Sequence, residues 1–231
     1  MKTERHDGRS LPFLAVLPDD YDPAVSYPLV IMLHGFGAHM GDLAGLAPAI
    51  EDKGYVYACP NAPLAFDFGG GYTGYGWMPR QNVASPEEVQ AARENSEALL
   101  EDFFEEAFEK LNVTRGKVAL LGFSQGGAMT YRCGLKSPEV FSGLVALSAA
   151  VFDPEILRPR LPENRDQPVF VAHGTRDMQI DVETARATRA FLEEEGYQPQ
   201  YREYNMGHEI PFEVLRDLIP WLTGVLPPLR D

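Results

Sequence analysis

Short apolar segments alternate along this chain with longer stretches in which apolar residues recur every three to four positions. The short segments predict strands, and most are continuously apolar, which is typical of strands buried on both faces of a sheet. The predicted strands are residues 11–17, 29–33, 55–59, 118–123, 143–148, 169–172 and 200–204. Strands that alternate with helices favour an α/β architecture with a mostly parallel central sheet.

The longest helix has a clear start signal. Ser85-Pro86-Glu87-Glu88 supplies a helix-capping Ser, a Pro at the first helical position and a capping-box Glu. From there to Leu111 an apolar face repeats with a period near 3.6. Glu94, Glu97, Glu101, Glu105 and Glu106 lie off that face and are expected to be solvated. Shorter helices are predicted at residues 125–136, 182–195 and 211–222.

Nothing in the pattern divides the chain. No repeat, low-complexity tract or long polar linker occurs, so residues 1–231 are expected to form a single domain. The stretch between the predicted strands at 143–148 and 169–172 is too short for a large helical cap domain.

The net charge of the chain restricts the classes of partner that it is expected to bind. Twenty Lys and Arg against 34 Asp and Glu give a net charge of −14, which disfavours nucleic acid and anionic membrane surfaces. The first ten residues contain no apolar core of a signal peptide, and no apolar run approaches the roughly 20 residues that span a bilayer. A soluble, cytoplasmic protein is expected.

The two cysteines, Cys59 and Cys133, cannot build a disulfide scaffold and are interpreted as buried thiols. His, Cys and acidic residues show no zinc-ligand spacing. No metal and no cofactor are expected.

The most specific motif is Gly122-Phe123-Ser124-Gln125-Gly126, a G-x-S-x-G sequence between a predicted strand and a predicted helix. Passing from strand to helix within so few residues requires a sharp turn that exposes the Ser hydroxyl. Glycines two before and two after Ser124 leave room for neighbouring backbone. Ser124 is therefore the candidate nucleophile.

A Ser nucleophile needs a base, and the base needs an orienting carboxylate. Of the five histidines, His208 follows the last predicted strand and is the preferred base. Asp177, on the turn after strand 169–172, is the preferred acid, and Asp181 is interpreted as a helix cap, as is Asp153. His34 and His173 are expected to order loops, whereas His6 and His39 are interpreted as loop residues.

Acyl transfer also needs donors for the oxyanion, usually two backbone amides. The residue after the nucleophile, Gln125, fits the first position. Phe36, flanked by Gly35 and Gly37 after strand 29–33, fits the second.

With LHGFG, GFSQGG, HGTRD and GHEI in this order, the chain resembles the phospholipase/carboxylesterase family of α/β-hydrolases from about residue 11 to residue 222. The family that it resembles includes carboxylesterases, lysophospholipases and acyl-protein thioesterases. The resemblance implies a metal-free serine hydrolase with Ser124, Asp177 and His208 as its triad, Phe36 and Gln125 as oxyanion donors, and a small ester as substrate.

One departure concerns the segment after the third predicted strand. The thioesterase branch typically has a Trp-aromatic-Asp turn after its fourth strand, whereas this chain has Trp77-Met78-Pro79-Arg80, which argues against acyl-protein thioesterase activity. The Gly- and aromatic-rich segment 66–80 is expected to be a flexible loop beside the site. Residues expected to bind substrate are Trp77, Phe66, Tyr75 and Met178. A thioesterase or lysophospholipase with the same triad and a non-catalytic binding protein are the alternatives, and homo-oligomerisation stays open.

Overall fold

The computed structural model describes residues 1–80 and 83–230, and within them eight strands form one sheet in the order β1-β2-β4-β3-β7-β8-β9-β10. A separate antiparallel hairpin pairs β5 with β6. The strands are β1 Lys2–His6, β2 Phe13–Leu17, β3 Leu29–Leu33, β4 Val56–Pro60, β5 Leu64–Asp67, β6 Thr73–Gly76, β7 Val118–Phe123, β8 Gly143–Leu147, β9 Val169–Gly174 and β10 Gln200–Tyr204.

Six neighbouring strands run parallel to one another: β4, β3, β7, β8, β9 and β10. In this sheet only β2 runs antiparallel to them. Their carboxyl ends therefore meet at one edge of the sheet, where α/β proteins bind ligands. Strand alternation sends Leu29, Ile31 and Leu33 of β3 into one core and Val30 and Met32 into the core on the opposite face.

Helices cover both faces. The bounds are α1 Gly41–Ala44, α2 Ala47–Ile50, α3 Pro86–Lys110, α4 Gln125–Gly134, α5 Pro154–Leu157, α6 Val182–Glu194 and α7 Phe212–Val225, with a short 3-10 helix at Arg158–Arg160. Helices α3, α4 and α6 pack on one face of the sheet and α1, α2 and α7 on the other. The predicted capping box is confirmed: the Ser85 hydroxyl accepts from the Glu88 amide, and the Glu88 carboxylate accepts from the Ser85 amide.

All seven predicted strands are present, with ends that differ by no more than two residues. Three strands were missed. β1, with the sequence KTERH, is an exposed edge strand that pairs with β2. Its charged residues show no apolar pattern, so the sequence did not indicate a strand there. The hairpin β5–β6 replaces the loop that was expected at 66–80, because glycines and aromatics there pair across two short strands. His6, interpreted as a loop residue, lies in β1 and stacks on Phe13.

Only a four-residue helix and the 3-10 turn lie between β8 and β9, so no large cap domain is present there, as predicted. The thiols of Cys59 and Cys133 are free and buried, and burial raises the pKa of both. In the described ranges, none of the helices combines the length and apolar character that crossing a bilayer requires.

The prediction that the α3 glutamates are all solvated is wrong for two of them. Glu97 is 6% exposed and Glu106 is 1% exposed. Burial raises the pKa of Glu97, but Arg160, Lys136 and Arg132 outweigh it and lower that pKa to about 2. Helical periodicity placed Glu97 off the apolar face, but cations from α4, from the turn after α4 and from the 3-10 helix cover it there.

Candidate active site

Ser124 is the single residue between the end of β7 and the start of α4. Its backbone has φ 54° and ψ −118°, a left-handed conformation that non-glycine residues rarely adopt. The glycines on either side are required by close backbone approach, as predicted. A Cβ at Gly122 would lie 2.2 Å from the Gly126 carbonyl oxygen, and one at Gly126 would lie 2.0 Å from the Leu33 carbonyl oxygen.

The structure brings His208 to Ser124. His208 lies between β10 and α7, and its Nε2 is 2.9 Å from the Ser124 Oγ. Its Nδ1 is 2.7 Å from Oδ2 of Asp177. A carboxylate accepts hydrogen bonds only, so Nδ1–H donates to Asp177 and Nε2 is left to accept from the Ser124 hydroxyl. The ring also packs against Phe123, with 4.8 Å between ring centroids.

Asp177 is fixed by the turn that follows β9. Its Oδ1 accepts from the amides of Gln179 at 2.8 Å and Ile180 at 2.9 Å. Burial raises the pKa of this carboxyl group, but the hydrogen bonds from Ile180, His208 and Gln179 outweigh burial and hold the pKa below its usual range. Asp177 is therefore a carboxylate at neutral pH, which suits a partner for an imidazolium.

The neighbouring polar residues have structural roles. Asp181 caps α6 by accepting from the Glu183 amide, as predicted. His173 is fully buried, and its Nε2–H donates to the Ile180 carbonyl, so it orders the Asp177 loop. Asp153 precedes α5, but the capping interpretation of its side chain is wrong, because that carboxylate instead pairs with Arg93.

The loop after β3 reaches the same point. A Cβ at Gly35 would lie 3.3 Å from the Ser124 Cβ, so this loop packs directly on the nucleophile turn. In the described part of the chain, the backbone amides of Phe36 and Gln125 donate to no protein acceptor. Both amides are available to a ligand. His34 is the first residue of this loop. Its imidazole is neutral, because burial lowers its pKa to about 4.

The hairpin β5–β6 clamps the Phe36 loop. The Gly37 amide donates to the Tyr75 carbonyl, and the Tyr75 amide donates to the Ala38 carbonyl, both at 2.8 Å. The Tyr72 hydroxyl donates to the Gly37 carbonyl, also at 2.8 Å. The two backbones approach so closely that a Cβ at Gly74 would lie 2.2 Å from the Gly37 carbonyl oxygen.

Aromatic rings reinforce this clamp. The Phe36 ring lies 4.8 Å from the ring of Phe66 and 6.0 Å from the ring of Phe68, centroid to centroid. Phe66 and Tyr75 thus support the loop after β3 from behind.

A cavity of about 680 Å³ opens beside Ser124. Its size is that of a small-molecule site. Its walls come from the Phe36 loop, the segment after β6, the segment after β8, and the start of α6. The lining residues are Phe36, Met78, Pro79, Arg80, Arg93, Ser124, Gln125, Phe152, Gln179, Ile180, Asp181 and Thr184.

The four residues expected to bind substrate are not among those that line this cavity. Trp77 is fully buried and its indole donates to the His34 carbonyl, so it is part of the core behind the wall. Met178 is 96% exposed and points to solvent. Phe66 and Tyr75 face the Phe36 loop. Beyond Phe36, Ser124, Gln125 and Asp181, the wall is instead formed by the three residues that follow Trp77 and by residues that motif analysis did not single out: Arg93, Phe152, Gln179, Ile180 and Thr184.

The Gln125 side chain connects the nucleophile turn to that wall. Its Oε1 accepts from the Trp77 amide and its Nε2 donates to the Met78 carbonyl, each at 3.0 Å. Gln125 therefore fixes the backbone of the cavity wall as well as presenting its own amide.

A Ser–His–Asp hydrogen-bonded chain at the strand ends of a mostly parallel sheet defines a serine hydrolase with the α/β-hydrolase fold. The model of the phospholipase/carboxylesterase family matches residues 23–226, and the chain belongs to that family. It is an enzyme of the serine hydrolase class.

Two relatives agree with this assignment, and one solved structure has the same fold. The chain is 27% identical over 223 residues to acyl-protein thioesterase 1 of Neurospora crassa, covering 87% of this chain and 88% of that protein. Against acyl-protein thioesterase 1 of Kluyveromyces lactis it is 25% identical over 213 residues, covering 86% and 92%. The fold matches the crystal structure of esterase PE8 with a TM-score of 0.80 at 24% identity, covering 98% of this chain and 100% of that one.

Proposed function

We propose that this enzyme is a carboxylester hydrolase that cleaves short- to medium-chain acyl esters through an acyl-enzyme on Ser124. The observation that carries the proposal is the continuous hydrogen-bonded chain from Ser124 through His208 to Asp177, at 2.9 and 2.7 Å, beside an open cavity. Both distances lie within the range for proton transfer.

In this mechanism the Ser124 Oγ attacks the ester carbonyl carbon while His208 Nε2 takes the hydroxyl proton. Asp177 stabilises the resulting imidazolium. The amides of Phe36 and Gln125 bind the tetrahedral oxyanion. The alcohol then leaves with the proton from His208, and water repeats the attack on the acyl group, which regenerates Ser124 and releases the acid.

The substrate range is proposed from the shape of the site. With only α5 and the 3-10 turn between β8 and β9, the cavity is reached without displacing a cap. Its wall is mainly apolar, through Phe36, Met78, Phe152 and Ile180, which suits a short hydrocarbon chain.

A scan of p-nitrophenyl esters from acetate to dodecanoate tests this proposal. We expect kcat/KM to be highest between butanoate and octanoate and turnover to occur well below the solubility limit of each ester. Absence of ester turnover, or a rate that rises only when substrate forms a separate phase, would contradict it.

The names of the relatives favour thioester hydrolysis as a second candidate. The same triad would act on a thiol leaving group. Matched butanoate oxyesters and thioesters distinguish the two: a kcat/KM ratio in favour of the thioester by tenfold or more would replace our proposal with a thioesterase.

The hairpin clamp gives a prediction about the oxyanion site. A methyl group at Gly74 must push the hairpin away from Gly37, because the atoms that it meets are backbone. Gly74→Ala is expected to lower kcat by about 10- to 100-fold, since removal of one oxyanion donor lowers kcat about 10²- to 10³-fold, while KM changes little. Steady-state kinetics on a neutral ester measures both constants.

Two controls accompany this variant. Gly224→Ala adds the same methyl group at a position on α7 with no heavy atom within 4 Å and should leave kcat unchanged. Tyr72→Phe removes only the hydroxyl bond to Gly37 and should have a smaller effect than Gly74→Ala. A Gly74→Ala enzyme with the parental kcat would show that the clamp does not position Phe36.

We also propose a cytoplasmic location, which the free thiols of Cys59 and Cys133 support. Fractionation of the producing cells tests it.

A further inference from the structure

Arg80 lies at the wall of the cavity that contains Ser124. Its side chain is exposed, and its guanidinium carbon is 4.6 Å from the centroid of the Phe36 ring. A cation over an aromatic face at this distance is attracted by the ring. The guanidinium is thus positioned beside the residue whose amide we assign to the oxyanion.

The charge of Arg80 is not compensated by the protein residues described. In residues 1–80 and 83–230, no carboxylate lies within the 4.0 Å ion-pair distance of Arg80. The other cation of the lining, Arg93, is buried and pairs with Asp153. The carboxylate of the lining, Asp181, accepts from the Glu183 amide at the start of α6.

This arrangement contrasts with the rest of the molecule. The net charge of −14 repels anions at long range. A cation without a protein partner in the cavity wall attracts an anion locally, against that overall repulsion. A guanidinium presents its donors in one plane and matches a carboxylate with two parallel hydrogen bonds. An exposed Arg on an aromatic ring therefore offers a ready site for that group.

We infer that Arg80 is a specificity-determining residue that binds a carboxylate carried by the ester substrate. The inference rests on the proposed ester hydrolysis and defines its substrate class further: esters with a second, ionised acid group in the acyl chain or in the alcohol. Arg80 acts on binding of that group and takes no part in proton transfer.

Two matched substrate pairs test the inference and separate the two sources of the carboxylate. On the acyl side, p-nitrophenyl pentanoate is compared with the mono-p-nitrophenyl ester of glutaric acid, which carries a carboxylate at the end of the same five-carbon chain. On the alcohol side, the butanoate of 2-nitrophenol is compared with the butanoate of 3-hydroxy-4-nitrobenzoic acid.

In the Arg80→Gln variant we expect kcat/KM for the carboxylate-bearing member of one pair to fall by about fivefold relative to its neutral partner, as for a solvent-exposed charge pair. Any loss for the neutral member reports only the contact of Arg80 with the Phe36 ring, so the ratio within the pair is the readout. Arg80→Lys should restore part of the loss, because it keeps the charge but lacks the planar fork. Arg216→Gln, an equal charge change at an exposed position on α7, is the control and should alter neither ratio.

Equal losses for both members of each pair would overturn the inference and assign Arg80 to packing on Phe36. The absence of a loss for either member of each pair would overturn it too. If the wild-type enzyme hydrolyses no ester, the proposed function fails, and a binding measurement decides the inference separately. The non-hydrolysable pair N-(4-nitrophenyl)glutaramate and N-(4-nitrophenyl)pentanamide should then differ in Kd in an Arg80-dependent and salt-dependent way, and equal Kd values would refute it.

Discussion

Ser124→Ala is expected to lower kcat/KM for a neutral ester by at least about 10³-fold. In the proposed mechanism the hydroxyl forms the acyl-enzyme, so the variant should keep only the catalysis that substrate binding and the oxyanion amides supply. Alanine keeps the same backbone at φ 54°, and the other contacts of the turn do not involve the hydroxyl. Thermal unfolding should therefore change by only a few degrees, and steady-state kinetics together with the unfolding midpoint measures both effects.

Covalent labelling provides an independent measurement of the same assignment. A fluorophosphonate probe should modify Ser124 in the wild-type enzyme, and mass spectrometry should place the adduct on the peptide that contains residues 122–126. Ser148 supplies a matched control, because it also follows a central strand with a positive φ, of 46°, but is fully buried. Ser148→Ala should still be labelled, whereas label on the Ser124→Ala enzyme would refute Ser124 as the nucleophile.

The parts of the site that could be predicted are those dictated by local sequence. A strand, a sharp turn in which Gly122 lies against the Gly126 carbonyl, and a helix specify the conformation of Ser124 from residues within the motif. Chain order then selects His208 and Asp177, because parallel strands bring their carboxyl ends to one edge. Each of these steps depends on hydrogen bonding and sterics within a few residues or on a general rule of α/β sheets.

The cavity wall could not be predicted, because it depends on contacts between distant segments. Aromatic composition indicated apolar area near residue 77 but not its direction, and the Trp77 indole turns into the core to reach the His34 carbonyl. Gly74 has an ordinary φ, so its backbone conformation does not require glycine. Glycine is required there only because the backbone of Gly37, from another segment, approaches it closely. Glu97 is likewise covered by cations that lie 35 or more residues away.

The second large effect is expected for Asp177→Asn, and the direction follows from the hydrogen bonds of the turn. Oδ1 of Asp177 accepts from the amides of Gln179 and Ile180. An asparagine must keep its oxygen at this position, so its NH₂ group takes the place of Oδ2 and faces Nδ1 of His208. Because NH₂ donates, Nδ1 must accept, and the imidazole proton moves to Nε2.

A protonated Nε2, 2.9 Å from the Ser124 hydroxyl, cannot accept the hydroxyl proton. We expect kcat/KM to fall by about 10³- to 10⁴-fold, while the turn keeps both amide bonds and the unfolding midpoint stays close to that of the wild type. Nitrogen-15 NMR of His208 should report the exchanged tautomer. Asp181→Asn should lose far less activity, because asparagine caps a helix as well as aspartate does. An Asp177→Asn enzyme that retained a tenth of the wild-type activity, or a larger loss in Asp181→Asn, would show that Asp177 does not set the tautomer of His208.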